Sequence, residues 1–164
     1  MLDVLMATYN GEKHLDEQVH SILSQSDQNF RLIIADDAST DSTPLLLKKW
    51  ANQYPDKIEL YCFPQNAGPC ANFSRLIELS DADYMMFSDQ DDIWEQDKVA
   101  LSMKKMKELE LQCGTDIPLM VASDLSIIDD RGRMISPSWK KFVGTKKGSC
   151  RFNALLCRHA YLGC

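Results

Sequence analysis

The sequence predicts an α/β fold, with a mostly parallel, Rossmann-like sheet carrying helices on both faces. Two observations carry that expectation. Short, mostly apolar runs alternate with helix-period stripes along roughly the first 120 residues, and each run ends in a cluster of turn-forming residues. Leu2-Asp3-Val4-Leu5-Met6-Ala7-Thr8 reads as a buried strand closed by Tyr9-Asn10-Gly11. From Glu12 onward, Leu15, Val19, Ile22 and Leu23 fall on one face of a helix. Phe30–Ala35 is a second strand, broken by Asp36-Asp37-Ala38-Ser39-Thr40-Asp41. Thr43 and Pro44 fit an N-cap and a first helical position, opening a helix through Leu45, Leu46 and Trp50. Ile58–Phe63 is a third strand, and the breaker-rich Pro64–Pro69 loop leads to a helix from about Cys70 through Leu79. Tyr84–Phe87 is a fourth strand running into Ser88-Asp89-Gln90-Asp91-Asp92, and Val99, Met103, Met106 and Leu109 mark the next helix. Leu119–Ser123 and Leu125–Ile128 suggest a fifth extended segment, after which the pattern loses its regularity.

At 164 residues the chain suits one domain, and two full domains would be cramped. With 45% apolar and 26% charged residues it lies near the globular average, away from compositions that stay disordered. Its net charge of −6 argues against nucleic acid as a general partner, because phosphate recognition of that kind needs clustered Lys and Arg. A phosphate ligand would instead need a metal or backbone amides. The six cysteines form no C-x-x-C pair or zinc spacing, nothing at the N-terminus reads as a signal peptide, and free thiols in a reducing cytosol are expected. Apolar runs such as Leu32–Ala35 and Leu119–Ala122 fall far short of the roughly 20 residues a membrane helix needs. His14, His20 and His159 read as surface or helix residues, the methionines as core filler, and the cluster Lys140, Lys141, Lys146 and Lys147 as a solvated loop.

In open α/β sheets, ligands bind beyond the carboxyl ends of the strands. Four such loops hold the residues of interest: Thr8-Tyr9-Asn10, Asp36-Asp37, Asn66-Ala67-Gly68 and Asp89-Gln90-Asp91-Asp92. Five carboxylates brought to one edge repel one another, and a divalent cation together with a ligand rich in donor groups relieves that repulsion. A nucleoside diphosphate with Mg²⁺ or Mn²⁺ meets both needs. Carboxylates accept hydrogen bonds from ribose hydroxyls and from the N3–H of uracil or thymine, the Tyr9 ring can stack on a base, and Asp89 and Asp91 can hold the metal. Each motif also has a plainer reading: the Asp36–Asp41 block as turn and cap chemistry, Asn66–Gly68 as turn geometry, Asp89–Asp92 as a solvated turn, and Tyr9 as packing beneath the first helix. A dehalogenase-type phosphatase would carry its Asp-x-Asp on the first strand, whereas here it follows the fourth. A sugar nucleotidyltransferase would need a Gly-rich basic loop after the first strand, and Thr8–Glu12 is neither.

Met6-Ala7-Thr8-Tyr9-Asn10-Gly11, Asp36–Asp41, Asn66-Ala67-Gly68 and Ser88-Asp89-Gln90-Asp91-Asp92-Ile93-Trp94, in this order and spacing, resemble glycosyltransferase family 2. Within it, the Asp-Gln-Asp-Asp-Ile-Trp form is similar to bacterial rhamnosyltransferase-like enzymes of cell-surface polysaccharide synthesis. The resemblance implies a GT-A fold, a UDP- or dTDP-sugar donor, a saccharide or lipid-linked saccharide acceptor and inversion at the anomeric carbon. It further implies that Ala7 and Tyr9 flank the base, that Asp37 takes the base N3–H with Asp36 supporting its loop, and that Asn66 and Gly68 shape the nucleotide pocket. On the same basis Asp89 meets the ribose and the metal, Asp91 holds the metal, and Asp92 and the weaker candidate Asp124 lie toward the donor sugar. Residues 1–130 would form the core and 131–164 the start of an acceptor-side region, all within one domain. The family's acidic base lies downstream of a segment similar to His159–Cys164, so the catalytic base is expected beyond Cys164 and the chain is expected to be part of a longer protein. A catalytically incomplete nucleotide-sugar-binding module is the alternative. The expected location is the cytoplasm, compatible with peripheral association at the inner face of the membrane in the full-length protein.

Overall fold

The computed structural model describes residues 1–129 and 131–143. The chain divides into two compact units, Met1–Lys104 and a second that begins at Lys105. In order, the elements are β1 (Leu2–Thr8), α1 (Leu15–Leu23), β2 (Arg31–Asp36), α2 (Thr43–Gln53), β3 (Ile58–Cys62), α3 (Pro69–Leu79), β4 (Tyr84–Ser88), α4 (Lys98–Cys113), β5 (Ile127–Ile128), β6 (Met134–Ser136) and α5 (Trp139–Phe142).

The first unit is built on a four-stranded sheet of order β3-β2-β1-β4, parallel throughout. Its strands read as continuous apolar runs because both faces are covered. Along β1 and β2, Val4, Met6, Leu32 and Ile34 point to one side and join Leu15, Val19 and Ile22 of α1, Leu47 of α2 and Val99 of α4. Leu5, Ile33 and Ala35 point to the other, where Leu76, Phe73 and Leu79 of α3 meet them. The period of two along each strand thus places one core above the sheet and one below. The helices on both faces and the parallel sheet are as the sequence predicts.

Two charged or polar devices complete this unit. Asp3 lies on the α3 face of β1 with a fully buried side chain, and Arg31 donates to it twice, from Nε at 3.1 Å and Nη2 at 2.8 Å. The Ser80 hydroxyl donates to the same carboxylate at 2.6 Å. Burial pushes the Asp3 carboxyl up, but Arg31 and Ser80 outweigh it and hold the group below its ordinary value. The second device is a buried polar row at α1 and just past its end, formed by Gln18, Ser21 and Gln25. Gln18 Nε2 donates to the Ser88 hydroxyl at 2.6 Å, and the Trp94 amide donates to Ser21 Oγ at 3.0 Å. Gln25 Nε2 donates to the Glu95 carbonyl at 2.9 Å, while its Oε1 accepts from the Val99 amide at 2.9 Å. These side chains satisfy the backbone of an irregular segment, which has no ladder to do so.

Three sequence expectations need correction. The segment Leu119–Ser123 forms no strand; within the fifth extended segment only Ile127–Ile128 pairs, antiparallel to β6 in a separate two-stranded sheet of the second unit. Apolar runs of that length carry no information about a pairing partner. Ser42, not Thr43, occupies the N-cap of α2, and Thr43 is its first residue. The Thr43 hydroxyl instead accepts the Gly11 amide at 2.8 Å, a long-range bond that local capping rules do not anticipate. The first helix begins at Leu15, with Gly11–His14 forming a turn in which Leu15 N–H donates to the Gly11 carbonyl. Among the described residues Cys62, Cys70 and Cys113 are free thiols. No described helix is long and apolar enough to cross a membrane. Of the basic cluster read as a loop, Lys140 and Lys141 lie instead in α5, while Lys146, Lys147 and His159 lie outside the described residues.

Replacing Gln25 with Ala strands the Val99 amide and the Glu95 carbonyl, and should lower unfolding stability by about 1–3 kcal/mol in urea titrations. Asp3→Asn should cost about 1–3 kcal/mol at pH 7. Because the folded carboxyl titrates below its ordinary 3.8, its contribution is complete above that value and is lost as the pH falls through the folded value. The gap between wild type and Asp3→Asn measured by denaturation should therefore close in acid.

Candidate functional site

The parallel register brings the carboxyl ends of three strands level. Thr8 lies opposite Asp36, Asp36 opposite Cys62, and Met6 opposite Ser88. The loops that follow β1, β2, β3 and β4 therefore open on one edge, where they bound a cleft of about 430 Å³. Of the residues singled out in the sequence, Ala7, Tyr9, Asp37, Asn66, Gly68, Asp89 and Asp91 line this cleft together. Tyr9 is 46% exposed, so it does not pack beneath the first helix.

Asp36 and Asp37 divide the work of the β2 loop. Asp36 is buried below the cleft, where it accepts the Thr8 hydroxyl at 3.0 Å, the Ser39 amide at 3.0 Å and the Ser39 hydroxyl at 2.5 Å. Those bonds hold Ala38 at φ +63°, a left-handed conformation that a side chain other than glycine adopts at a cost. Asp37 is 2% exposed, and its carboxylate accepts the Ala67 amide at 3.0 Å, the Gly68 amide at 2.8 Å and Arg75 Nη1 at 3.0 Å. The Asn66 amide group donates to the Asp37 carbonyl at 3.1 Å. Asp37 thus fastens the β3–α3 loop to the β2 end. Gly68 sits at φ +85° as the N-cap of α3, and this turn requires glycine's freedom.

The β1 and β2 loops are laced together in the same way. The Asn10 amide donates to the Ser39 hydroxyl at 2.9 Å, and the Thr40 amide donates to Asn10 Oδ1 at 2.8 Å. The Glu12 amide donates to Asp41 at 3.2 Å, while the Ser42 amide donates to Glu12 at 2.8 Å. Much of the Asp36–Asp41 block is therefore turn and cap chemistry, used between loops as well as within its own.

The acidic loop carries the strongest unbalanced charge. Partial desolvation of the carboxyl, then the charge of Asp91, raises Asp89 above its ordinary value, with Lys98 pulling the other way. Asp92 is raised by burial, then by Asp89 and Asp91, again against Lys98. Asp92 stands among these acids but does not line the cleft. Asp124 belongs to the second unit, where Ser138 Oγ donates to it at 2.6 Å and the Lys140 and Leu125 amides also donate to it. The Ser138 hydrogen bond lowers its carboxyl, outweighing burial, which raises it.

Among the described residues no group of three or more His, Cys, Asp or Glu side chains is arranged to hold a metal. The donor set still suits a hard divalent cation, since Asp89 and Asp91 supply two carboxylates on the cleft wall and their mutual repulsion favours a positive charge between them. The remaining ligands would come from a bound anion and water.

Asn72 and Phe73, which the sequence marks only as helix residues, contribute to its wall, as do Thr8, Pro69 and Gln90 from the loops already named, Gln90 sitting between the two aspartates. Asn72 is 1% exposed and its Nδ2 donates to the Ala35 carbonyl at 2.8 Å, while its Oδ1 is buried without a partner. Arg75 reaches Asp37 from α3 with its guanidinium stacked over the Phe63 ring at 4.2 Å. In the sequence, Asn72 and Arg75 differ in no way from ordinary helix residues.

The chain is 43% identical over 98 residues to the dTDP-rhamnosyl transferase RfbG of Shigella flexneri, covering 57% of this chain and 34% of that protein. It is 30% identical over 108 residues to the putative teichuronic acid biosynthesis glycosyltransferase TuaG of Bacillus subtilis, covering 66% of this chain and 42% of that protein. The chain thus spans well under half the length of these relatives. Among solved structures, Staphylococcus aureus TarS 1–349 in complex with UDP superposes with a TM-score of 0.57 at 20% identity, over 76% of this chain and 41% of that one. The Pyrobaculum calidifontis mannosyltransferase PcManGT in complex with GDP-Man and Mn²⁺ gives 0.58 at 24% identity, over 63% of this chain and 31% of that one. These likenesses identify the fold as that of GT-A glycosyltransferases. The model of glycosyl transferase family 2 matches residues 3–123, a span that contains all four cleft loops, and the chain belongs to that family.

Proposed function

We propose that this chain forms the donor-binding part of an inverting glycosyltransferase that takes sugar from a UDP- or dTDP-sugar and passes it to a saccharide or lipid-linked saccharide acceptor in cell-surface polysaccharide synthesis. The observation that carries this reading is the convergence of Ala7, Tyr9, Asp37, Asn66, Gly68, Asp89 and Asp91, from four separate loops, on one cleft. RfbG, named as a dTDP-rhamnosyl transferase, and TuaG, named for teichuronic acid biosynthesis, support the donor class and the pathway.

On this reading the base lies between Ala7 and the exposed Tyr9 ring, with the Asn66–Gly68 turn forming the pocket wall. Asp37 faces the base N3–H. The bifurcated Ala67 amide gives it room to share one oxygen with that donor while the loop stays fastened. Asp89 takes the ribose hydroxyls and, with Asp91, would hold Mg²⁺ or Mn²⁺; Asp92 stands behind them toward the donor sugar. When bound, the cation supplies neutralisation of the diphosphate and so improves it as a leaving group. The protein's own contribution is to present two carboxylates that are short of positive charge, at fixed spacing, beside a rigid nucleoside pocket. On this reading the enzyme works in the cytoplasm.

UDP or dTDP should raise the melting temperature of the chain, and Mn²⁺ should enlarge the shift. Equal shifts in Mn²⁺ and in EDTA would remove the cation from the account, and no shift with any nucleotide would overturn the donor reading. Asp91→Asn should abolish the Mn²⁺ increment and leave the ligand-free melting temperature within a degree or so, as expected for an exposed carboxylate. Tyr9→Ala should weaken metal-free uridine binding about tenfold or more in calorimetry, since stacking on an aromatic ring is worth about 1–3 kcal/mol per base.

A further inference from the structure

Gln90 occupies the position between the two aspartates and lines the cleft with them, but its carboxamide is engaged by the protein's own backbone. It turns back onto β1: the Tyr9 amide donates to Gln90 Oε1 at 2.7 Å, and Gln90 Nε2 donates to the Tyr9 carbonyl at 3.1 Å. One carboxamide thereby pairs with both backbone groups of one residue, as a neighbouring strand would. Close approach makes the pairing possible. A Cβ at Gly11 would lie 2.5 Å from Gln90 Oε1 and 2.6 Å from its Cδ, so glycine at that position keeps the seat open.

Chemistry dictates the residue type. Glutamate would lose the donor to the Tyr9 carbonyl and add a fourth acid to a loop already short of positive charge, and asparagine is one methylene too short to hold both bonds from the same backbone position. Behind the loop, Ser88 donates to the Asp89 carbonyl at 2.9 Å and is itself held by Gln18. The acidic loop is thus pinned on its buried side by α1 and on its cleft side by Tyr9. The ring of Tyr9 has no comparable anchor of its own.

We propose that Gln90 is a positioning residue that joins the nucleoside end of the cleft to its cation end, so that Tyr9 and the Asp89–Asp91 pair move as one body and nucleoside and divalent cation reinforce each other's binding. The proposal rests on the donor reading above for its ligands, and on the Gln90–Tyr9–Gly11 contacts for its geometry.

The test uses the full chain, with Gln90→Met, which keeps length and removes both hydrogen bonds, and Gly11→Ala, which pushes the carboxamide off its seat. In the ligand-free protein, the Tyr9 amide should exchange with deuterium at least about tenfold faster in either variant than in wild type. Metal-free uridine binding should weaken about five- to tenfold in each, and the gain in UDP affinity on adding Mn²⁺ should shrink by a similar factor. The double variant should be no worse than either single one, because both break the same pairing. Unchanged Tyr9 exchange, an unchanged Mn²⁺ gain in Gln90→Met, or full additivity of the two substitutions would overturn the proposal. If wild type binds neither uridine nor UDP while Tyr9 exchange responds as expected, the donor reading is what fails, and the coupling falls with it. A loss of uridine binding in Gln90→Met that Gly11→Ala does not share would mark a direct ligand contact and also overturn it.

Discussion

β1 is paired on both sides, and the site exists because of where that pairing stops. Its neighbours β2 and β4 run parallel to it and in fixed register, so Asp36 and Ser88 arrive beside Thr8 and Met6 at the same edge. A one-residue slip would turn Val4 and Met6 out of one core and Leu5 out of the other, since both faces of the strand are buried. The register that fills two cores is therefore the same register that assembles four loops around a cleft. Stability and site geometry draw on one constraint.

What keeps the loops usable at that edge is polar and mostly buried. A strand end releases backbone groups that no ladder satisfies, and here side chains from other elements take them up. Asp37 gathers the Ala67 and Gly68 amides, Asp36 gathers Thr8 and Ser39, and Gln18, Ser21 and Gln25 carry the segment from Ser88 to Val99. Fully satisfied networks of this kind rigidify. Rigidity matters for a cleft that is to meet charge, because carboxylates free to swing apart would relax their repulsion without a cation. Asp91 lies near enough to Asp89 and Asp92 for its charge to raise both carboxyls, a demand that a cation can meet.

The four strands and the helices between them were legible in the sequence, since continuous apolar runs such as Leu32–Ala35 have few other places to go. Most cleft residues were legible too, because Tyr9, Asp37, Asn66, Gly68 and the Asp89–Asp91 pair directly follow those runs. The loops' mutual fastening was not. Gln18 and Gln25 look like polar residues on the solvent side of a helix, Thr43 looks like a cap, and Arg75 looks like any exposed arginine of α3. Each has a long-range partner, and local patterns hold no record of that partner. Leu119–Ser123 failed for the converse reason: its apolar run is the same signal that a strand gives, without the neighbour that makes one.

By itself the sequence determined the alternation of elements, the parallel sheet with two covered faces, and the edge at which the chemistry collects, because hydrophobic period and turn composition are local properties of the chain. Only the tertiary structure decided what each acid does. Asp36 and Asp37 are adjacent and alike in the sequence, yet one is buried as a brace and the other borders the cleft while clamping a loop. Gln90, the neutral residue between two acids, became the link between strand ends. Those assignments depend on contacts such as Thr8–Asp36, Gly68–Asp37 and Tyr9–Gln90, which lie 28, 31 and 81 positions apart, and folding alone brings such residues together.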